Sequence, residues 1–301
     1  MSSLRPVPSL APDAAPGTAP LGNAELAALR AELDRLDDRL HDTLMERARV
    51  VERVAALGTK GRVPLRPGRE AAIIRRLLAR HAGQFPPGSL VRLWRELICG
   101  MTALQRPLRI AVCDAGHAPG YLAAAREHFG ALVPLRAYPS PAQAIHEIST
   151  GGAVAAVLPV PREDEPPREA WWTALLHRDD PRIHVVGRLP FWAARPEGAP
   201  QVQAFVVTAA APDPSGTDRS LLGLELALDT SRARLGADLV AAGFEAGPVI
   251  LRRDAGAAVA HALVDVSGFV GDGDARLPAL SAALRPPVVL GAYAVPVEMR
   301  Q

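Results

Sequence analysis

The fold of the first part of this chain is decided by the stretch Leu26-Ala-Ala-Leu-Arg-Ala-Glu-Leu-Asp-Arg-Leu-Asp-Asp-Arg-Leu40. Neither proline nor glycine occurs between Ala24 and Leu57. Apolar residues recur there every three or four positions, at Leu26, Leu29, Leu33, Leu36, Leu40, Leu44, Val51 and Val54. This period predicts one helix with Asn23 as its N-cap. The helix would be about 50 Å long, so part of its apolar stripe must meet another chain or a long partner helix.

Two further helices are predicted before the pattern changes at Pro107. Gly58, Gly61 and Pro64 break the first helix. The second helix starts at Pro67, a residue suited to a first turn, and runs to about His81; its inward residues are Ile73, Ile74, Leu77 and Leu78. The third covers Ser89 to Gln105, with an apolar stripe of Leu90, Leu93, Trp94, Leu97 and Met101. The sequence therefore predicts an all-helical unit over residues 22–107.

Polar residues interrupt the inward stripes of all three helices. Arg47 lies between Leu44 and Val51 at helical spacing, Glu70 shares a face with Ile73, and Gln105 ends the stripe of the third helix. An unpaired buried charge is costly. Such residues can pair with each other or extend to the rim of the bundle, and for any one of them alone that is the better interpretation. Taken together, they favour a polar cavity inside a helical bundle.

Arg30 adds a geometric constraint. It precedes Arg47 by 17 residues, which places it about 100° around the helix and roughly 25 Å away. The two side chains cannot hold one small molecule from a single helix. A second, antiparallel copy of the helix could bring its own Arg30 to Arg47.

The order of these residues resembles the all-helical chorismate mutases. Leu26-Ala-Ala-Leu-Arg30, the following Leu36-Asp-Asp-Arg-Leu40, Glu46-Arg47, Arg69-Glu70 and Gln105 carry the resemblance, which covers roughly Leu21 to Arg106. It implies an intertwined homodimer that converts chorismate to prephenate in phenylalanine and tyrosine biosynthesis, without cofactor or metal. It further implies that Arg30 is donated in trans, that Arg47 binds a carboxylate in cis, that Arg69 assists the charge network, that Glu70 accepts from the ring hydroxyl, and that Gln105 donates to the ether oxygen.

Three positions depart from the family pattern. A lysine near the end of the long helix bonds the ether oxygen in the family, and straight register places Gly58 there. Lys60, the only lysine in the chain, follows two residues later; it either fills that role or is a solvated loop residue. Arg66 replaces a common aspartate and Met101 a serine.

After Pro107 the pattern becomes α/β. Strands are predicted at residues 109–113, 131–136, 153–159 and 182–189, with helices at 121–129 and 141–150. After the linker Pro212-Asp-Pro-Ser-Gly, the predicted order is βαββαβ, typical of a ferredoxin-like unit: strands at 222–228, 249–252, 258–266 and 288–294, and helices at 231–242 and 275–284.

The α/β part resembles two further domains, both without their functional motifs. Residues 108–211 resemble a prephenate dehydratase domain, and residues 218–301 an ACT regulatory domain. Gln203-Ala204-Phe205 stands where the dehydratase has Thr-Arg-Phe, Pro159-Val160-Pro161-Arg162-Glu163 replaces Pro-Ile-Glu-Asn-Ser, and Gly116-His117-Ala118-Pro119 replaces the glycine-rich turn. The resemblance implies a degenerate dehydratase region. Two alternatives stay open: a bifunctional mutase–dehydratase, and a non-catalytic regulatory or binding relative.

Composition excludes several other classes of protein. The 34 basic and 32 acidic residues leave a net charge of +2 without a basic stripe, so we expect no nucleic-acid or membrane partner. No apolar run is long enough to cross a bilayer. Cys99 and Cys113 are predicted to be buried thiols of a cytoplasmic protein, and no metal site is expected. Residues 1–21 are predicted to be a disordered tail.

Overall fold

The computed structural model describes residues 22–57, 64–114, 120–195 and 197–298. The predicted tail, Gly58, Lys60, Gly61 and the stretch 116–119 lie outside this part. The chain divides into two compact units, Met1–Arg53 and Val54–Gln301, and each is described by itself.

The first unit contains helix α1, which runs from Asn23 to Ala56 and so ends three residues into the second unit. Its bounds match the predicted helix to within a residue, because the segment contains no glycine or proline. No residue of α1 is buried. Its apolar stripe is largely exposed, including Leu26, Leu29, Leu33, Leu36, Leu40 and Val54.

The other two predicted helices are present in the second unit. Helix α2 covers Pro67–Ala79 and helix α3 covers Pro87–Gln105. In α2, Ile74 is buried and the other predicted inward residues are half-buried. The predicted stripe of α3 is wrong in part, because Leu93 is exposed. The buried face is rotated from the prediction and consists of Val91, Arg95, Ile98, Cys99 and Thr102.

A nine-stranded sheet forms the centre of the second unit. Its strands are β1 (Ile110–Cys113), β2 (Leu135–Tyr138), β3 (Ala155–Pro159), β4 (His184–Leu189), β5 (Ala204–Thr208), β6 (Asp218–Leu226), β7 (Ala246–Arg252), β8 (Ala260–Ser267) and β9 (Val288–Ala294). They lie in the order β2-β1-β3-β5-β4-β9-β6-β8-β7. Helices α4 (Tyr121–Phe129), α5 (Pro141–Ser149) and α6 (Arg232–Ala241) connect them, with short 3₁₀ turns at Trp171–His177 and Leu277–Ala279. The multidomain fold, helical and then α/β, is thereby confirmed.

Strand β2 begins later than predicted. The predicted strand at residues 131–136 is wrong at its start, because Arg126 Nη1 donates to the carbonyls of Gly130, Ala131 and Val133. These bonds fix a turn, and Pro134 closes it. Strand β5 was not predicted at all, although its five residues are buried.

The predicted helix at residues 275–284 is wrong. Only Leu277–Ala279 forms a 3₁₀ turn. The carboxylate of Asp238 accepts from the backbone N–H of Ser281 and of Ala282, and these bonds hold the segment in a turn that leads into β9. The strands of the predicted βαββαβ unit are all present, with β6 between β8 and β9.

Strands β4 and β9 join the two predicted α/β regions in one sheet. They run parallel and pair at Val185 and Gly291. Gly291 has φ +144, and a Cβ on it would collide with the backbone of Val185, so only glycine permits this close approach. The separation into domains 108–211 and 218–301 stays a prediction, since both regions contribute to this continuous sheet.

Candidate functional site

Two of the predicted site residues lie on α1. Arg30 is exposed and Arg47 is half-buried. Arg47 follows Leu44, which is also half-buried, so the region around it is the least exposed part of the helix. The 17-residue separation of the two arginines along one continuous helix retains the distance of roughly 25 Å expected from helix geometry.

Glu70 and Arg95 form a buried ion pair between α2 and α3. Arg95 Nη1 donates to Glu70 Oε2 at 3.0 Å. The exposed fractions of the two residues are 8% and 5%. The ring of Phe191 lies 4.8 Å from the Arg95 guanidinium carbon, a distance at which the aromatic face stabilises a cation. Glu70 is therefore held as an acceptor by one fixed donor.

Burial sets the protonation behaviour around this pair. Removal from water raises the pKa of Glu70, and the charge of Arg95 opposes that shift. Burial likewise raises the pKa of the Cys99 thiol to about 12, which makes it unreactive. The pKa of His128 is well below its usual value, because the ring is desolvated and close to Arg95. At neutral pH the imidazole is neutral.

The first turn of α2 is capped by a residue far along the chain. Both carboxylate oxygens of Asp213 accept from this turn, one from the Gly68 N–H and the other from the Arg69 N–H, each at 3.1 Å. Asp213 also pairs with Arg66 at 3.1 Å. The side chain of Arg69 is exposed, so the charge network beside Glu70 involves Arg66 and Asp213 through their side chains. The predicted role of Arg69 stays a prediction.

Gln105 ends the face of α3 that carries Arg95. Positions 95, 98, 102 and 105 follow one another by three, four and three residues and so share a face. Gln105 is half-buried, and its amide has no hydrogen-bond partner within the described ranges. The structure thus places Glu70 and Gln105 on neighbouring helices of the second unit, whereas Lys60 lies outside the described residues.

Arg95 is the functional candidate that the sequence reasoning missed. The signal was present, since Arg95 lies among Val91, Ile98 and Thr102 at helical spacing. Choosing the Leu90–Leu97 side as the inward stripe concealed it. Arg95 is the charged residue on the face of α3 that is actually buried, and its partner, Glu70, precedes it by 25 residues.

A network of polar side chains includes Gln203, which stands in the stretch that replaces the Thr-Arg-Phe motif of the dehydratase. Arg188 Nη2 donates to Gln203 Oε1 at 2.8 Å, and its Nη1 donates to the Tyr293 hydroxyl at 3.2 Å. Tyr293 in turn donates to Asp265 at 2.6 Å, and Asp265 pairs with Arg219 at 2.7 Å. Burial beside this carboxylate raises the pKa of Tyr293 to about 12. These bonds connect β4 and β5 to the C-terminal strands.

The described part of the chain lacks both a metal-binding cluster and a membrane-spanning helix. It contains no group of three or more His, Cys, Asp or Glu residues that could hold a metal ion. None of its helices is both long and apolar enough to cross a bilayer. Cys99 and Cys113 are buried and form no disulfide bond, as predicted.

The helical region is similar to known proteins. Residues 29–106 match the family model described as chorismate mutase type II. A bifunctional chorismate mutase/prephenate dehydratase from Stutzerimonas stutzeri is 31% identical over 147 residues, which are 47% of this chain and 40% of that protein. One from Aquifex aeolicus is 33% identical over 92 residues, 29% of this chain and 25% of that protein. The chain thus matches about two fifths or less of the length of these relatives.

The α/β region of this chain has weak similarity to solved structures. The prephenate dehydratase from Streptococcus mutans is 14% identical with a TM-score of 0.44, covering 62% of this chain and 98% of that one. The quorum-quenching acylase GqqA is 17% identical with a TM-score of 0.47, covering 62% of this chain and 95% of that one. The match of residues 29–106 spans α2, α3 and most of α1. The N-terminal helical region of this chain thus matches the chorismate mutase type II family model, and a mixed α/β region follows it.

Proposed function

We propose that this protein catalyses the rearrangement of chorismate to prephenate. The observation that carries the proposal is the match of residues 29–106 to the chorismate mutase type II family. Arg30, Arg47, Lys60, Glu70 and Gln105 all fall within that segment. The proposed activity is that of an isomerase in aromatic amino acid biosynthesis.

The chemistry requires only residues of the kind found here. The rearrangement is one pericyclic step without a covalent intermediate or a proton transfer. A site must hold a flexible dianion in its compact form and place fixed donors where charge grows on the ether oxygen. Guanidinium groups bind carboxylates at two points. No cofactor or metal enters the proposal.

Each candidate residue has a proposed role. Arg47 binds a carboxylate, Glu70 accepts from the ring hydroxyl, and Gln105 donates to the ether oxygen, with Lys60 as a second donor there. The burial of Glu70 and its single bond to Arg95 support this role, because a carboxylate oxygen accepts more than one hydrogen bond. Arg95 is the positioning residue for Glu70. Arg69 contributes charge near the rim.

We further propose that the protein is a homodimer formed through α1. The exposed leucines of α1 form an apolar stripe along a helix about 50 Å long. In a monomer this stripe would be in contact with water. A second antiparallel copy covers this stripe and also brings Arg30 of one subunit to Arg47 of the other. A cytoplasmic location, without nucleic-acid or membrane partners, completes the proposal; two buried cysteines that form no disulfide bond support the location.

Mixed dimers test both parts of the proposal. Arg30→Ala and Arg47→Ala should each lose activity by a factor on the order of 10² or more. Unfolded together and refolded, the two variants should recover about a quarter of the wild-type activity, since half the dimers are mixed and half their sites keep both arginines. The measurement is the absorbance change of chorismate. If mixed dimers form and activity stays at background, the two arginines do not share a site.

A second candidate function is the bifunctional one that the relatives' names give. It is favoured by the alignment to the Stutzerimonas protein, whose 147 residues exceed the segment 29–106 of the family match. Gln203 and Ala204 oppose it, because they replace, respectively, the threonine and the arginine of the dehydratase motif. We expect no conversion of prephenate to phenylpyruvate above the acid-catalysed background. Measurable turnover would favour the bifunctional enzyme, and failure with both substrates would favour a non-catalytic relative.

A further inference from the structure

A cavity of about 440 Å³ lies beside the mutase helices, outside the proposed active site. It is lined by the N-terminal half of α3, by the middle and the end of α4, and by residues 190–195 after β4. All of these elements belong to the second unit. The volume is within the range of roughly 300–1,000 Å³ that is usual for sites of small molecules.

The walls of this cavity are mostly apolar and partly aromatic. Val91, Ala124 and Phe191 are buried residues of the lining, and Trp192 is half-buried. The indole N–H of Trp192 has no hydrogen-bond partner in the described part of the chain. These walls can surround a ring and offer one free donor beside it, the combination of apolar surface and few polar groups expected of a ligand site.

The charges that line the cavity leave one positive group without compensation. Arg95 is paired with Glu70 at 3.0 Å, and Arg195 is paired with Glu127 at 2.6 Å. Arg92 lines the same cavity, is exposed, and forms no ion pair with any residue that the structure describes. His128 adds no charge at neutral pH, since its pKa is well below its usual value.

We infer that this cavity is a binding site for a small carboxylate that carries an apolar ring. The ring packs against Phe191 and Trp192, and the carboxylate balances Arg92 at the rim. A cationic ligand would add to the uncompensated positive charge, and a neutral ring would leave Arg92 unpaired. The inference goes beyond the proposed mutase activity, because binding here can be measured without any turnover. Arg95 forms one wall, so an occupant contacts the residue that holds Glu70.

Calorimetric titration of the full chain tests the inference with three probes. Phenylpropionate has the ring and the charge, phenylpropanol only the ring, and propionate only the charge. We expect phenylpropionate to bind at least about tenfold more tightly than either of the others, since each lacks one of the two required interactions.

Three variants locate the binding. Arg92→Gln should weaken phenylpropionate binding about fivefold, and Ala194→Trp, which fills the cavity, should abolish it. Arg76→Gln, which changes an exposed arginine of α2 that does not line the cavity, should bind within about twofold of wild type. Circular dichroism verifies that each variant is folded.

The outcomes that overturn the inference are distinct. A carboxylate site is refuted by any of three results: no binding of phenylpropionate, equal binding of phenylpropanol, or an unchanged affinity in Arg92→Gln. Arg92→Gln alters only an exposed side chain. Its affinity for phenylpropionate therefore tests the carboxylate site even if Ala194→Trp does not fold. None of these readouts depends on chorismate, so failure here is distinguishable from failure of the proposed function.

Discussion

Removal of Arg95 should be the most damaging single change at the proposed site. Arg95→Met replaces the buried guanidinium with an apolar chain of similar length and leaves the Glu70 carboxylate without its cation. Breaking one side of a buried pair costs about 3–5 kcal/mol, since the remaining charge stays desolvated. Loss of the contact with the Phe191 ring, 4.8 Å away, adds about 0.5–2 kcal/mol. We expect the free energy of unfolding to fall by about 4 kcal/mol or more.

A double variant separates the charge effect from the loss of packing. Glu70→Gln combined with Arg95→Met removes both charges, so it should recover most of the loss, because apolar or neutral replacement of a whole buried pair is often nearly neutral. Urea unfolding of the full chain measures the free energy of unfolding of the wild type, of Arg95→Met and of the double variant. Arg76→Met is the matched control, with an expected change within about 0.5 kcal/mol.

The pH dependence gives a second, independent readout. Without Arg95, the pKa of Glu70 should rise further above its usual value, because desolvation is then unopposed. The folded protein would keep a proton that the unfolded chain releases near pH 4.3. Stability of Arg95→Met should therefore decrease as the pH rises from the pKa of Glu70 in the unfolded chain toward its raised pKa in the folded protein. A loss below about 1 kcal/mol, or no recovery on adding Glu70→Gln, would refute the buried-pair argument.

Two further predictions concern the second unit. Gly291→Ala should cost about 3 kcal/mol or more, because it combines an unfavourable φ with a clash against the backbone of β4; Gly271→Ala, with nothing within 4 Å, should be nearly neutral, and equal unfolding curves would contradict the close approach. The depressed pKa of His128 means that the unfolded chain takes up a proton below about pH 6.5 that the folded protein does not, so stability should fall by up to about 1.4 kcal/mol per pH unit on acidification. His128→Gln should flatten this dependence and the exposed His146→Gln should not; identical profiles of the two variants would assign the effect elsewhere.

The sequence by itself determined the helices and the candidate residues that lie on them. The bounds of α1 and α4 follow from local signals, namely an unbroken helical period and flanking glycines. Glu70 and Gln105 were found because a polar residue within an apolar stripe can be recognised without knowing its neighbours. The strands of the C-terminal region followed from alternating elements of the right length.

What only the tertiary structure decided depends on contacts between distant parts of the chain. The partner of Glu70 is 25 residues away, and the cap of α2 is supplied across 145 residues by Asp213. Which side of α3 is buried, and so whether Arg95 faces inward, is set by what packs against that helix. The pairing of β4 with β9 also depends on distant residues. Position 291 must be glycine because the backbone of Val185, more than 100 positions earlier, lies against it. A local period reports that a face is apolar, but the element that covers the face is chosen by the fold as a whole.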